Sequence, residues 1–325
     1  MSTEFDVIER FFKARAAARQ HVLLGIGDDA AVTTLPDGCE LVTATDALVE
    51  GTHFLAGASP NSVGHRCLAV NLSDMAAMGA EPLWASLALG MPAADSAWLG
   101  GFADGFFALA DRFGVSLIGG DTVRANLFAS VTVQGAVPVG QAVKRSGAGA
   151  GDLIYVTGSL GDSAAGRLIG QGELAVKSDM PAGAHVEVLS DRFCFPTPRL
   201  QSGIDVREFA TAMIDISDGF AVDLGRMLAA SGVGAEISIE NMPLSVSLNA
   251  CCKPEAALEL ALSGGEDYEL CFTVPAERGA GLIALAANWD CALTCVGIVS
   301  SEPGVRFSRG GAAYTLDVTE FEHFT

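Results

Sequence analysis

The sequence predicts an α/β fold in two domains, and three observations carry that prediction. Short β-rich segments alternate with helical ones along the chain, the pattern of sheets covered by helices. At 325 residues the chain has room for two domains. Half of its residues are apolar, enough for a sizeable interior. Yet no apolar run approaches the ~18 residues of a membrane span. The richest stretch, Leu83–Met91, is stopped by Pro92 and reads as a buried strand.

The elements follow in order. Glu4–Arg19 carries Phe5, Ile8, Phe11 and Phe12 on one side, which predicts a first helix. Leu24–Asp29 is a glycine-punctuated turn. Glu40–Thr45 alternates and is β-rich, and the predicted strand ends at Asp46. Pro60 opens a helix that runs to about Met78. Pro82 starts an apolar strand to Gly90, and Asp95–Phe113 is helical. Strand Val115–Ile118 leads into a Gly-Gly-Asp-Thr turn, and Leu127–Val137 is a long strand rich in valine. Gly140–Gly151 holds Lys144, Arg145 and four glycines, a connection between domains 1–140 and 141–325. Beyond it, strands are predicted at Asp152–Thr157, Ala212–Ile216, Ala235–Ile239, Tyr268–Val274 and Cys295–Val299. Helices are predicted after Gly161, Pro198 and Asp218, and at Pro254–Leu262 and Ala276–Asn288.

Charge narrows the function. The formal net charge is −20, from 39 acids against 19 Lys and Arg. That excludes nucleic acid, which requires basic stripes. A nucleotide remains admissible, because divalent cations held by carboxylates reverse the local field. The first twenty residues carry Glu4, Asp6 and Glu9 and lack the basic start of a secretory signal. Eight cysteines form no CxxC pair and read as small core hydrophobes in a reducing compartment, so a cytoplasmic location is expected.

The acids are concentrated in short signatures: GIGDDAA at Gly25–Ala31, TATD at Thr43–Asp46, NLSDMAAMGA at Asn71–Ala80, GGDT at Gly119–Thr122, DISDG at Asp215–Gly219 and SGGEDYEL at Ser263–Leu270. Carboxylates at turns and element ends are what a hard cation such as Mg²⁺ requires. Asp28 and Asp29 either reach an ion or tie an Asx-type turn. Asp46 closes a strand, with Thr45 able to add a hydroxyl. Asp74 stands inside an apolar helical run, where a bare carboxylate is expensive unless it meets a cation or donors. Asp121 follows two glycines at a strand end, where α/β sites cluster. Asp215 and Asp218 bracket a strand-to-helix turn, and Asp218 or Ser217 could instead cap that helix. The glycines before Glu266 and those at Gly158 and Gly161 clear backbone N–H groups for an anion, or make plain tight turns. Arg145 can span two phosphate oxygens with its fork. His53 follows Asp46 closely enough to reach a metal there, or is an ordinary histidine. Neither a Walker motif nor a GxSxG elbow is present.

In this order the signatures resemble the thiamine-monophosphate kinase family, of the superfamily that includes aminoimidazole ribonucleotide synthetase and selenophosphate synthetase. The resemblance rests on GIGDDAAV, THF at Thr52–Phe54, NLSDMAAMGA, LIGGDT, KRSGA, GDLIYVTGSLGDSAAG, DISDG and LSGGEDYEL, and spans nearly the whole chain. It implies a ferredoxin-like amino-terminal domain that joins its sheet to a second subunit's in a homodimer, and a larger carboxy-terminal α/β (PurM-like) domain. It implies transfer of the γ-phosphoryl of ATP to thiamine monophosphate, assisted by several Mg²⁺ ions. By motif match it implies Asp29, Thr45, Asp46, Asp74, Asp121, Asp215 and Asp218 as metal ligands, with the Ala44 carbonyl in addition. Asp29, Asp46, Asp74, Asp121 and Asp218 carry the catalysis on that reading. Gly120, Asp121, Arg145 and Ser217 match nucleotide contacts, and His53, Glu266 and Phe321 match substrate contacts. Neighbouring chemistry in the superfamily is an ATP-using ligase that releases inorganic phosphate, or nucleotide binding without turnover.

Overall fold

The computed structural model describes residues 4–17, 19–174, 176 and 183–315. Two compact units are present: Met1–Met75 with Ala80–Gln141, and Ala76–Gly79 with Ala142–Thr325.

The first unit begins with α1 (Glu4–Val7), which continues as a π-helical turn over Ile8–Lys13. The helix was expected to reach Arg19, but no large apolar residue follows Phe12, so the buried stripe ends there. Arg15 and Arg19 instead bind Asp104 and Asp111, both at 2.7 Å. A small hairpin follows, β1 (Val22–Leu24) and β2 (Val32–Thr33). Then come β3 (Cys39–Val49), α2 (Pro60–Ala77), β4 (Glu81–Met91), α3 (Ser96–Phe113), β5 (Ser116–Arg124) and β6 (Phe128–Pro138). Helix α3 is set by its ends: Asp95 accepts from the N–H groups of Ala97 and Trp98, and Gly114 closes it in the left-handed region.

These four long strands form one sheet in the order β3-β6-β4-β5. Strand β6 is antiparallel to both neighbours, and β4 is parallel to β5. The element order from β3 is therefore β-α-β-α-β-β. The last two strands, β5 and β6, follow each other in the chain but are not paired, because β4 lies between them. Two long apolar segments stand out in the sequence of this unit, Leu83–Leu89 and Leu127–Val137. They are β4 and β6, the two central strands, which explains their apolar composition without a partner. The edges are β3 and β5.

The second unit contains β7 (Leu153–Thr157), α4 (Asp162–Gln171), α5 (Gly183–Cys194), α6 (Leu200–Val206), β8 (Ala212–Asp215), α7 (Phe220–Ser231) and β9 (Gly234–Ser238). It continues with α8 (Val246–Cys251), α9 (Pro254–Ser263), β10 (Leu270–Val274), α10 (Gly279–Ala286), β11 (Leu293–Ser300), β12 (Gly304–Arg309) and β13 (Ala312–Tyr314). Its sheet runs β13-β12-β9-β11-β7-β10-β8 and is antiparallel except for β9 with β12. Phe220, Leu224, Leu258 and Leu262 from α7 and α9 pack against Ile154, Val156, Ile214 and Val296 of the strands. A smaller core joins Ala165, Leu189, Leu248 and Ala257. All eight cysteines are free thiols, and burial raises the pKa of Cys67 and Cys271. Among the described residues no helix is long and apolar enough to cross a membrane.

Candidate active site

In the first unit a cleft of about 950 Å³ is lined by the amino-terminal helix, the Gly27–Ala31 turn and the β4–β5 pair. Its charged residues are Asp6, Glu9, Asp28, Asp29 and Asp121, with Lys13 as the basic exception. Lys13 is engaged by Glu9 at 3.0 Å. Asp28 accepts from the Asp29 N–H, and Asp121 from the Thr122 N–H, both at 2.8 Å. These are bonds to the next residue's N–H, made by exposed side chains. Among the described residues no cation pairs with Asp28, Asp29 or Asp121.

Asp121 does not follow a strand end, as the sequence suggested. Strand β5 runs through it to Arg124, paired with β4 throughout. The pairing skips Ile118, so the strand bulges just before the two glycines. Gly120 sits at φ +151°, and a Cβ there would lie 1.9 Å from the Leu87 carbonyl oxygen. The glycines let β5 approach β4 closely while Asp121 faces the cleft.

Asp46 also lies within a strand, with three further residues of β3 beyond it. Its N–H donates to Asn71 Oδ1 at 3.0 Å, and the buried Asn71 donates to the Cys67 carbonyl at 3.0 Å. Asp74 is three residues along α2 from Asn71, on the same helical face, and is half-buried. Thr45 is on the other side of the sheet, because side chains alternate along a strand. Its hydroxyl meets that of Thr132 at 2.8 Å. The expectation that Thr45 lends its hydroxyl beside Asp46 fails on this alternation, and only its backbone carbonyl remains for that role. His53 is fixed in the turn after β3. Its Nδ1 accepts from the Val49 N–H at 3.1 Å, and its carbonyl accepts from the buried Arg66 at 3.0 Å.

In the second unit Asp215 ends β8 and is buried. The next turn is not capped by Ser217 or Asp218. Asp223, in the first turn of α7, reaches back and accepts from the N–H groups of Ser217, Asp218 and Gly219 at 3.0, 2.9 and 3.1 Å. Burial pushes the Asp223 carboxyl up to about 7, against the pull of those N–H groups. Arg226 donates to Asp223 and to Asp218. Arg145 is exposed, and its carbonyl accepts from Ser231, which ties its loop to α7.

The Gly264–Glu269 loop carries two non-glycine residues in the left-handed region, Glu266 at φ +60° and Tyr268 at φ +51°. Such residues cost on the order of 1–3 kcal/mol each and persist only when surroundings impose them. Here the Glu266 and Tyr268 N–H groups donate to the carbonyls of Ser217 and Ile216 at 2.7 and 2.8 Å. Asp267 is fully buried and accepts from the N–H groups of Gly161 and Ser163 at the start of α4. Burial pushes its carboxyl up to about 8. Glu269 is fully buried too. It takes a fork from Arg199 at 2.6 Å twice, Arg192 at 2.8 Å and the Thr157 hydroxyl at 2.7 Å. Burial works against the Arg199 charge, but its bonds to Glu269 outweigh it and raise its pKa. Phe321 lies outside the described residues.

Sequence reasoning missed Asp223, Arg226, Arg192, Arg199 and the role of Glu269. One signal was present for Glu269: a carboxylate directly preceding the apolar strand Leu270–Val274 must meet cations to be buried. For metal, the cleft donors are all hard carboxylate oxygens. Among the described residues no three His, Cys, Asp or Glu side chains converge to hold an ion by themselves. That arrangement fits Mg²⁺, which uses one or two carboxylates and completes its shell with phosphate oxygens and water.

Comparison with known proteins gives a consistent set. Residues 27–137 match the AIR synthase related protein N-terminal domain, and residues 149–309 match its C-terminal domain. The chain is 45% identical to the thiamine-monophosphate kinase of Escherichia coli K12, over 99% of this chain and 98% of the relative. It is similar to the crystal structure of thiamine-monophosphate kinase from Stenotrophomonas maltophilia K279a, at 43% identity and a TM-score of 0.86, covering 95% of this chain and 96% of that one. A further solved structure, AaThiL complexed with AMPPCP and TMP, is 31% identical, with a TM-score of 0.77, covering 100% of this chain and 99% of that one.

Proposed function

The chain belongs to the thiamine-monophosphate kinase family, and from that premise we propose that it transfers the γ-phosphoryl of ATP to thiamine monophosphate, giving thiamine diphosphate and ADP. The observation that carries this reading is the open acidic cleft of the first unit, whose Asp28, Asp29 and Asp121 pair with no cation among the described residues. The relative complexed with AMPPCP and TMP holds an ATP analogue and the acceptor in one protein, which supports the same pair of substrates here.

In this reading Asp29, Asp46, Asp74 and Asp121 would hold Mg²⁺ in the first unit, with the Thr45 and Ala44 carbonyls as further oxygens, and Asp215 and Asp218 would hold Mg²⁺ in the second. When bound, Mg²⁺ supplies charge neutralisation to two phosphate-bearing molecules that would otherwise repel each other. The chain's own groups do the rest. Gly120 presents bare backbone to the nucleotide. The exposed guanidinium of Arg145 spans phosphate oxygens, and Ser217 offers a hydroxyl. His53, Glu266 and Phe321 contact thiamine monophosphate. The acceptor phosphate is ionised near neutral pH, so no strong general base is required, and positioning and electrostatics dominate. Incubation with Mg·ATP and thiamine monophosphate should give diphosphate and ADP in equal amounts. Absence of product in excess Mg²⁺ would overturn the reading, and release of inorganic phosphate would point to the ligase chemistry of the superfamily.

We also propose a cytoplasmic homodimer. Its support is β3, an edge strand of 11 residues. Leu41, Thr43, Thr45, Ala47 and Val49 stand exposed on one face of it. A long uncovered edge of this kind is an aggregation hazard unless paired. Light scattering should give twice the chain mass of 33.4 kDa, and a mass that stays at one chain on concentration would exclude the dimer.

A further inference from the structure

We propose that Arg192 is a positioning residue for thiamine monophosphate, holding the strained loop that presents Glu266; this rests on the reading of Glu266 as a substrate contact. Arg199 already neutralises Glu269, gripping both carboxylate oxygens through Nε and Nη2 at 2.6 Å. Thr157 adds a hydroxyl at 2.7 Å. A second guanidinium is not needed for charge. What Arg192 adds is reach: its Nη2 donates both to Glu269 at 2.8 Å and to the Asp267 carbonyl at 3.3 Å. That carbonyl lies between Glu266 and Tyr268, the two non-glycine residues at positive φ. Arg192 thus bridges helix α5 to the middle of the loop.

Its own bonding is not optimised for stability. The Arg192 Nε–H is buried, with no hydrogen-bond partner among the described residues. Gly158 leaves room for the Glu269 carboxylate beside it, since a Cβ there would lie 2.1 Å from Oε1. The nucleotide side is anchored separately: Ser217, whose carbonyl receives the Glu266 N–H, is held at its own N–H by Asp223. Loosening Arg192 should free Glu266 while leaving Ser217 in place.

The test is Arg192→Gln with Arg192→Lys as its conservative partner, both in the full chain. The Gln variant should raise KM for thiamine monophosphate roughly tenfold with KM for ATP within about twofold, the signature of lost acceptor binding. The Lys variant, which keeps one donor and the charge, should recover part of the loss. Hydrogen exchange should show faster exchange at the Glu266 and Tyr268 amides in Arg192→Gln, with β10 amides unchanged. That readout does not depend on turnover. Unchanged loop protection, or equal rises in both KM values, overturns the positioning role. A wild-type protein that fails to phosphorylate thiamine monophosphate removes the underlying reading instead, whatever the exchange shows. If Arg192→Gln does not fold, Arg192→Lys decides by the same two measurements.

Discussion

Both units carry carboxylates in short segments that also contain glycine, and put them to opposite physical ends. In the first unit Asp28, Asp29 and Asp121 are exposed, and among the described residues no cation pairs with them. In the second unit Asp223, Asp267 and Glu269 are buried and satisfied by backbone N–H groups and arginines. The first set is left without a partner cation, and the second fixes its own loops. Substitution should separate them, because removing a buried partner costs stability and removing an open one costs chemistry. The largest effect is expected at Glu269. Glu269→Gln strands Arg192 and Arg199 and should lower stability by about 3–5 kcal/mol, the usual cost of breaking a buried ion pair. A denaturant midpoint that hardly moves would erase the distinction.

Asp121→Asn should do the converse. Its turnover should fall roughly 100-fold or more, since a metal-linked charge contributes several kcal/mol to the barrier. Its melting temperature should hold or rise, because one of the crowded cleft acids loses its charge. Asp29→Asn should behave alike. Loss of stability with little loss of rate would place these acids with the structural set.

Asp223→Ala should fall between these extremes. It orphans three N–H groups of the Ser217–Gly219 turn at about 1–3 kcal/mol for a buried group left unmade. Asp223→Asn, which keeps one acceptor oxygen, should recover most of that in the same melting assay. If both variants match wild type, the turn is held by its backbone alone.

The sequence reading found the elements with strong periodicity or marked ends. Pro60 and the buried run to Ala77 gave α2, and Asp95 with Gly114 bounded α3. Most strands of the second sheet were legible from their apolar runs. It missed β12 and β13, where Arg306, Arg309 and glycines break the apolar pattern of edge strands, and α8, only six residues long. It stopped two strands too early, at Asp46 and before Asp121. Glycines and acids read as turns, but pairing with β6 and β4 carries those strands on. The acids themselves were legible as a class. Their sorting into open and buried was not, because the partners of Asp267 and Glu269 lie 70 to 112 residues away in sequence.

The smallest effect expected is a pH slope, and it tests whether a buried acid behaves unlike an open one. Burial pushes Asp267 up to about 8 in the folded protein, against about 3.9 in an unfolded chain. Between those values the folded state keeps a proton that the unfolded chain releases. Stability should therefore be fully present below the unfolded pKa and fall as pH rises through the folded one. The slope for one group is at most about 1.4 kcal/mol per pH unit within that window. Other carboxylates of this acidic chain add their own pH dependence, so the comparison must be with Asp267→Asn. That variant keeps an acceptor oxygen for Gly161 or Ser163 and carries no proton to exchange. Unfolding midpoints from pH 5 to 8 should fall more steeply in wild type than in the variant. Parallel curves would mean that the two N–H groups and nearby Arg192 hold Asp267 ionised across the range. The line between the two units would then be drawn by hydrogen bonding alone, and burial would have no share in it.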